Sequence, residues 1–227
     1  VYERITVPGT MTIPVLKKGL PIFLNEFMWS GGMAMLTQCY SKRGLTVIAG
    51  LNISNVICNL LNVVFIAMGG AVGVITGQLL GASEYQKAQK ASLDLTKFTG
   101  GICLITTVIL VSISGVFPNL YDTSEQVRSY GSSFIVITAL FFPVQGFLNA
   151  LYFTLRSGGK TVITFLFDSV FTWVVPVPVA FFLCSYSTLS ILAVYTIIQS
   201  LDIIKLVVGY IIIKKGVWIT NLAEETV

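Results

Sequence analysis

The chain has 227 residues, of which 55% are hydrophobic and only 11% are charged, with a net charge of +4. Soluble domains usually have about 25% charged residues, so this composition predicts an all-α integral membrane protein. Histidine is absent, which excludes Ser-His-Asp and Cys-His catalysis and histidine metal sites. We therefore expect no enzyme activity, no metal or other cofactor, and no nucleic-acid partner.

Residues 1–16 contain Pro8, Gly9 and Pro14, which predict a linker or interfacial lead-in rather than a membrane span. Residues 17–227 are predicted to form one bundle of six transmembrane helices, because six apolar stretches follow one another. The predicted spans are residues 20–39, 45–80, 99–116, 130–155, 161–184 and 189–213. The chain has no initiator methionine, and we expect it to be part of a longer one.

The first span carries Glu26, which lies roughly 9 Å along the helix from Leu20 at about 1.5 Å per residue. A carboxylate at this depth costs about 2.5–3.5 kcal/mol unless it faces protein or water. We therefore predict that Glu26 faces a wet cavity, where a carboxyl group is suited to ion coupling. Asn25 and Trp29 are predicted to line the same cavity.

Amide side chains recur at helical spacing in the second and fourth spans. The second span carries Asn52, Asn55, Asn59 and Asn62 on one face, and the fourth carries Gln145, Asn149, Tyr152 and Arg156. Such stripes either form hydrogen bonds between helices or line a cavity. We predict that the cavity wall includes Asn52, Asn55, Asn59, Gln145 and Asn149.

The last two spans add ionisable residues. Asp168 shares a face of the fifth span with three threonines, and it either binds a neighbouring helix or serves as a second coupling residue. In the sixth span, 15 Leu, Ile or Val residues contribute about −7 kcal/mol, whereas Asp202 and Lys205 cost about +5 to +7 kcal/mol if alone. We therefore predict that Asp202 and Lys205 pair or face inward. Asp168, Asp202 and Lys205 join Glu26 as predicted ion-coupling or substrate residues.

The loop charges predict the orientation in the membrane. Six spans place ten basic residues on one side: Arg4, Lys17, Lys18, Lys87, Lys90, Lys97, Arg156, Lys160, Lys214 and Lys215. The other side receives three: Lys42, Arg43 and Arg128. Because cytoplasmic loops are enriched in Lys and Arg, we expect both termini in the cytoplasm.

Four stretches carry a family resemblance: KKGLPIFLNEFMWSGGMAML, GQLLGASEYQKAQKAS, TLRSGGKTVITFLFDSVFTW and KKGVWITNL. In this order they resemble the C-terminal half of a multidrug and toxic compound extrusion (MATE) transporter, and the last is similar to the stretch that closes the chain in that family. The resemblance implies a twelve-helix exporter with two six-helix lobes in the cell membrane. It implies antiport of small cationic drugs or metabolites against H⁺ or Na⁺ by alternating access. The implied partners are the substrate, membrane lipid and the N-terminal lobe of the same protein.

Two positions depart from this resemblance. Glu26 lies about one turn before the acidic residue that some branches carry in this span. Gln145 stands where some branches carry a carboxylate, eleven residues before Arg156. The coupling carboxylate is therefore expected either at Glu26 or in the other lobe.

Three alternative functions remain from the sequence. A lipid-linked sugar flippase or polysaccharide exporter of the same superfamily would have a more basic cavity, whereas Lys205 is the one cation predicted inside the membrane. A channel or passive facilitator would not accumulate its substrate against a gradient. An intramembrane enzyme would need Glu26 and Asp168 as an acid pair.

Overall fold

The computed structural model describes residues 9–216 and 218–219, without the side chains of residues 9–15, 17 and 18. Every regular element in this part of the chain is helical. The helices are α1 (Gly9–Ser41), α2 (Leu45–Gly81), α3 (Tyr85–Ile113), α4 (Glu125–Ser157), α5 (Thr161–Phe165), α6 (Phe171–Val174), α7 (Pro176–Tyr186), α8 (Ile191–Ser200) and α9 (Asp202–Lys214). A 3₁₀ turn (Phe117–Leu120) precedes α4, and a π-helical turn (Leu166–Val170) joins α5 to α6.

Five helical segments of the described chain are long and apolar enough to cross a membrane: Leu45–Gly81, Tyr85–Ile113, Glu125–Ser157, Thr161–Tyr186 and Ile191–Lys214. The chain is thus a multi-pass membrane protein, and the predicted six-helix bundle is close to this architecture. The predicted first span, residues 20–39, is not one of the five. It lies within α1, where Asn25, Glu26 and two adjacent glycines lower the mean hydropathy.

Helix α1 extends into the predicted linker or interfacial lead-in. It begins at Gly9, so residues 9–16 of this stretch are helical. Pro14 lies within this helix, where a proline removes one backbone hydrogen bond. Residues 1–8 of the predicted lead-in, including Arg4, lie outside the described residues.

Helices α2, α3 and α4 pack closely at glycines, as membrane helices do where small residues let their backbones approach. A Cβ atom at Gly100 of α3 would lie 2.6 Å from Phe147 of α4. A Cβ atom at Gly69 of α2 would overlap the side chains of Asn149 and Phe153. These contacts fix α4 at the centre of the bundle, with its polar stripe beside α2.

We expect Gly69→Ala to destabilise the protein and Gly70→Ala to leave its stability unchanged. The alanine at Gly69 forces Asn149 and Phe153 to shift, and such overpacking costs about 1–3 kcal/mol. Gly70, the next residue of the same helix, has no atom within 4 Å of its Cβ position. Thermal unfolding in detergent measures both variants, and equal melting temperatures would contradict this packing.

The two C-terminal membrane segments are interrupted. The fifth segment contains the π-helical turn and a break at Val175, so that α7 begins at Pro176. Pro176 has no backbone N–H to donate, which is consistent with a break in the helix at this place. The sixth segment breaks at Leu201, between α8 and α9. The backbone amide of Leu201 donates to the carbonyl oxygens of both Ile197 and Ile198. Asp168 lies in the π-helical turn, and Asp202 is the first residue of α9.

Candidate functional site

A cavity of about 600 Å³ lies between α1, α2, α4 and the two interrupted segments. It brings together all but two of the predicted site residues. Those on its wall are Glu26, Trp29, Asn55, Asn59, Gln145, Asn149, Asp168, Asp202 and Lys205. Residues from α1 and from four of the five membrane segments therefore converge on one polar space inside the bundle.

Asn25 is buried rather than on the cavity wall, with 2% of its surface exposed. Its amide nitrogen donates to the hydroxyl of Tyr152 at 3.1 Å. The hydroxyl of Ser169, in the π-helical turn, lies 2.7 Å from the backbone oxygen of Asn25 and 2.8 Å from its side-chain oxygen. Consecutive side chains of a helix point about 100° apart. Asn25 therefore connects α1 to α4 and to the π-helical turn, while Glu26 faces the cavity.

Asn52 also lies outside the cavity. It is exposed in a separate depression of about 310 Å³, beside Tyr121, Asp122 and Thr123 of the loop before α4. The cavity begins one turn further along α2, at Asn55. The side-chain amide of Asn62 donates to the side-chain oxygen of Asn59 at 3.4 Å. Both residues belong to α2, so this hydrogen bond lies within one helix and does not join two helices.

Glu26 has two polar neighbours from α4. The hydroxyl of Tyr152 donates to its carboxylate at 3.3 Å, and the guanidinium of Arg156 lies 3.7 Å from the same oxygen. The side chain of Glu26 is 54% exposed, and an ion pair that is so accessible stabilises by at most about 1 kcal/mol. Its carboxylate therefore remains available to a ligand in the cavity.

Asp202 and Lys205 both face the cavity, which is the second of the two predicted arrangements, but they do not form an ion pair with each other. The ammonium of Lys205 instead donates to Asp168, across the fifth and sixth segments, at 2.9 Å. Their side chains are only 12% and 18% exposed. The i, i+3 spacing placed Asp202 and Lys205 on one face, but it carried no information about the acid on the neighbouring segment.

Asp202 accepts a hydrogen bond from the amide nitrogen of Gln145 at 2.5 Å. The charged side chains on the described cavity wall are then three carboxylates and two cations, which leaves one negative charge in excess. The three carboxylates are those of Glu26, Asp168 and Asp202, and the cations are those of Arg156 and Lys205.

Several residues of the site were not among the sequence predictions. Tyr152 and Arg156 continue the polar stripe of α4 by helical spacing, so the stripe itself could have placed them on the cavity wall. Phe167, Phe171 and Ser169 carry no comparable signal, because the π-helical turn changes the direction of the side chains around it.

Comparisons with known proteins agree with this architecture. The MatE family model matches residues 21–182. The probable multidrug resistance protein YoeA of Bacillus subtilis (strain 168) is 23% identical over 188 residues, which cover 82% of this chain and 40% of that protein.

Solved transporter structures share the fold. A MOP superfamily transporter from Pyrococcus furiosus Vc1 (DSM3638), described as having a binding pocket of reverse polarity that suggests a different function, is 20% identical with a TM-score of 0.82. The alignment covers 92% of this chain and 47% of that one. A MATE protein in complex with MaL6 gives a TM-score of 0.81 at 20% identity, over 92% of this chain and 48% of that one. The chain thus spans about half the length of these structures.

Proposed function

Because the chain belongs to the MatE family, whose members are transporters rather than enzymes, we propose that it is one lobe of a two-lobe, twelve-helix secondary exporter. The exporter antiports small cationic drugs or metabolites against H⁺ or Na⁺ by alternating access. The N-terminal lobe of the same protein completes the transport pathway, and membrane lipid surrounds both lobes. This lobe uses no cofactor besides the coupling ion.

The observation that carries this proposal is the net negative charge of the cavity. Its volume of about 600 Å³ falls within the roughly 300–1,000 Å³ of pockets that hold small organic ligands. Three carboxylates face two cations there, and Trp29 and Tyr152 add aromatic surface, which attracts organic cations. A cationic substrate or a coupling ion would neutralise the excess charge, and exchange between the two would couple their movements.

A flippase for lipid-linked sugars is the second candidate, because the cavity is more basic than the sequence predicted. Arg156, which was counted among the basic residues of the cytoplasmic side, lies on the cavity wall together with Lys205. Both cations are paired with acids, at 3.7 Å and 2.9 Å. No unpaired positive charge is therefore left on the described wall for a phosphate group, and the charge balance favours a cationic substrate.

Drug sensitivity tests the proposed function. The complete gene is expressed in a strain that lacks its own exporters, and growth is measured with a panel of cationic drugs at two Na⁺ concentrations. We expect resistance to several cationic compounds, and a dependence on Na⁺ would identify that ion as the coupling ion. Unchanged sensitivity to every cationic compound would contradict the proposal.

We also propose that both ends of the chain lie in the cytoplasm, on the side with the excess of Lys and Arg. The four native cysteines are buried and would be replaced first. A single cysteine at Asp122 is then expected to react with a membrane-impermeant maleimide added to intact cells. A single cysteine at Lys160 is expected to react only after the cells are opened, and the reverse pattern would contradict this orientation.

A further inference from the structure

The ion pair of Asp168 and Lys205 has the form of an occupied binding site for an organic ammonium. The Lys205 nitrogen lies 2.9 Å from Asp168, 5.6 Å from the ring centre of Phe167 and 5.9 Å from that of Phe171. Cation–π attraction acts within about 6 Å of a ring centre, and aromatic groups of this kind recognise ammonium ligands. The group bound between this carboxylate and these two rings is the chain's own side chain.

We propose that Lys205 is a tethered competitor of the transported cation, and that an incoming organic cation displaces it from Asp168. This inference rests on the proposed function, since it names the place where the cationic substrate binds in this lobe. The site is the carboxylate of Asp168 with the rings of Phe167 and Phe171. It would take an alkylammonium or another organic cation with an apolar surface.

Asp202 gives the displaced ammonium a second acceptor. It precedes Lys205 by three residues in α9, and residues at this spacing are neighbours on a helix surface. Its carboxylate accepts one hydrogen bond, from Gln145, and has room for a second donor. Lys205 therefore remains beside a carboxylate after it leaves Asp168.

The charge balance allows this exchange. The described cavity wall has one negative charge in excess, so a monovalent cation at Asp168, with Lys205 at Asp202, leaves the wall and its ligand neutral. Both segments are also irregular at this place, with Asp168 in the π-helical turn and Asp202 beside the break at Leu201. Such irregular turns are frequent at functional sites of membrane helices.

Binding of tetraphenylphosphonium, a permanently charged organic cation, to the purified complete transporter tests the proposal. We expect Lys205→Met to bind the cation about tenfold more tightly than the unmodified protein, equivalent to about 1.4 kcal/mol, because the competitor is gone. Lys205→Arg keeps a competitor and is expected to bind no more tightly than the unmodified protein. Lys205→Gln removes the same charge and replaces the methionine variant if that variant does not fold.

Two control variants separate occupancy of the site from general electrostatics. Arg156→Met removes the same charge from the same cavity but leaves Asp168 occupied, and we expect a clearly smaller gain in affinity. Lys97→Met removes an exposed charge of α3, outside the cavity, and we expect no change. In the Asp168→Asn background, removal of Lys205 is expected to give no gain.

The outcomes distinguish this inference from the proposed function. Two results would overturn this inference alone, provided that the drug panel still shows resistance. The first is equal affinity of the folded Lys205→Met variant and the unmodified protein for the cation. The second is an equal gain in affinity from Lys205→Met and from Arg156→Met. No binding by any variant, together with no resistance, would overturn both.

Discussion

Replacement of Glu26 by glutamine in the complete transporter is expected to abolish ion-coupled efflux while the protein remains folded. The carboxylate faces the cavity, where the hydroxyl of Tyr152 donates to it and the guanidinium of Arg156 lies 3.7 Å away as its ion-pair partner. A hydrogen bond to a charged group contributes about 1.5–3 kcal/mol, so loss of such a bond between this carboxylate and a ligand weakens ligand binding about tenfold to a hundredfold. Efflux of a fluorescent cation from energised cells measures this effect.

Glu84→Gln is the matched control, because Glu84 is an acid at the exposed start of α3, paired with Lys87. We expect normal efflux from that variant. Normal coupled efflux from Glu26→Gln would remove Glu26 from the mechanism and direct attention to carboxylates in the other lobe.

Replacement of Asp168 by asparagine is expected to lower the stability of the protein by about 2 kcal/mol and to weaken cation binding. Removal of one partner of a fully buried ion pair costs about 3–5 kcal/mol, because the other charge is left unpaired. The cost is smaller here, since the side chains keep 12% and 18% exposure and Asp202 lies near Lys205. Thermal unfolding in detergent measures the change.

Asp94→Asn is the control for this variant. Asp94 is 58% exposed and lies 4.0 Å from Lys97, and such surface pairs contribute little. The double variant Asp168→Asn, Lys205→Met is expected to regain stability, since neither charge remains in the protein. Equal melting temperatures of Asp168→Asn and Asp94→Asn would contradict the importance of the pair.

The bounds of the second helix could be predicted closely from the sequence. The second span was predicted at residues 45–80 and is found at Leu45–Gly81, because polar loops bound a predominantly apolar stretch. The first helix was harder, since its polar residues lower the hydropathy and its proline residues resemble a linker. Local composition thus predicts the bounds of a helix well only where an apolar stretch lies between clearly polar loops.

The partners of the charged residues could not be predicted, because they depend on contacts between helices. The spacing of Asp202 and Lys205 suggested a pair within one helix, whereas the structure pairs Lys205 with Asp168. Asn25 and Glu26 were both expected in the cavity, but a difference of one residue turns Asn25 towards Ser169. A sequence gives the face of each helix, and the packing decides which face meets the cavity.

In the proposed function, charged and amide groups from five helical segments form a cation-binding cavity that works as part of an antiporter. Proteoliposomes containing the complete transporter, with the membrane potential clamped, test it through the uptake of a radiolabelled organic cation. An imposed outward gradient of H⁺ or Na⁺ is expected to drive accumulation above the external concentration, and Glu26→Gln is expected to prevent it. Uptake that stops at equal concentrations on both sides, whatever the ion gradient, would contradict antiport.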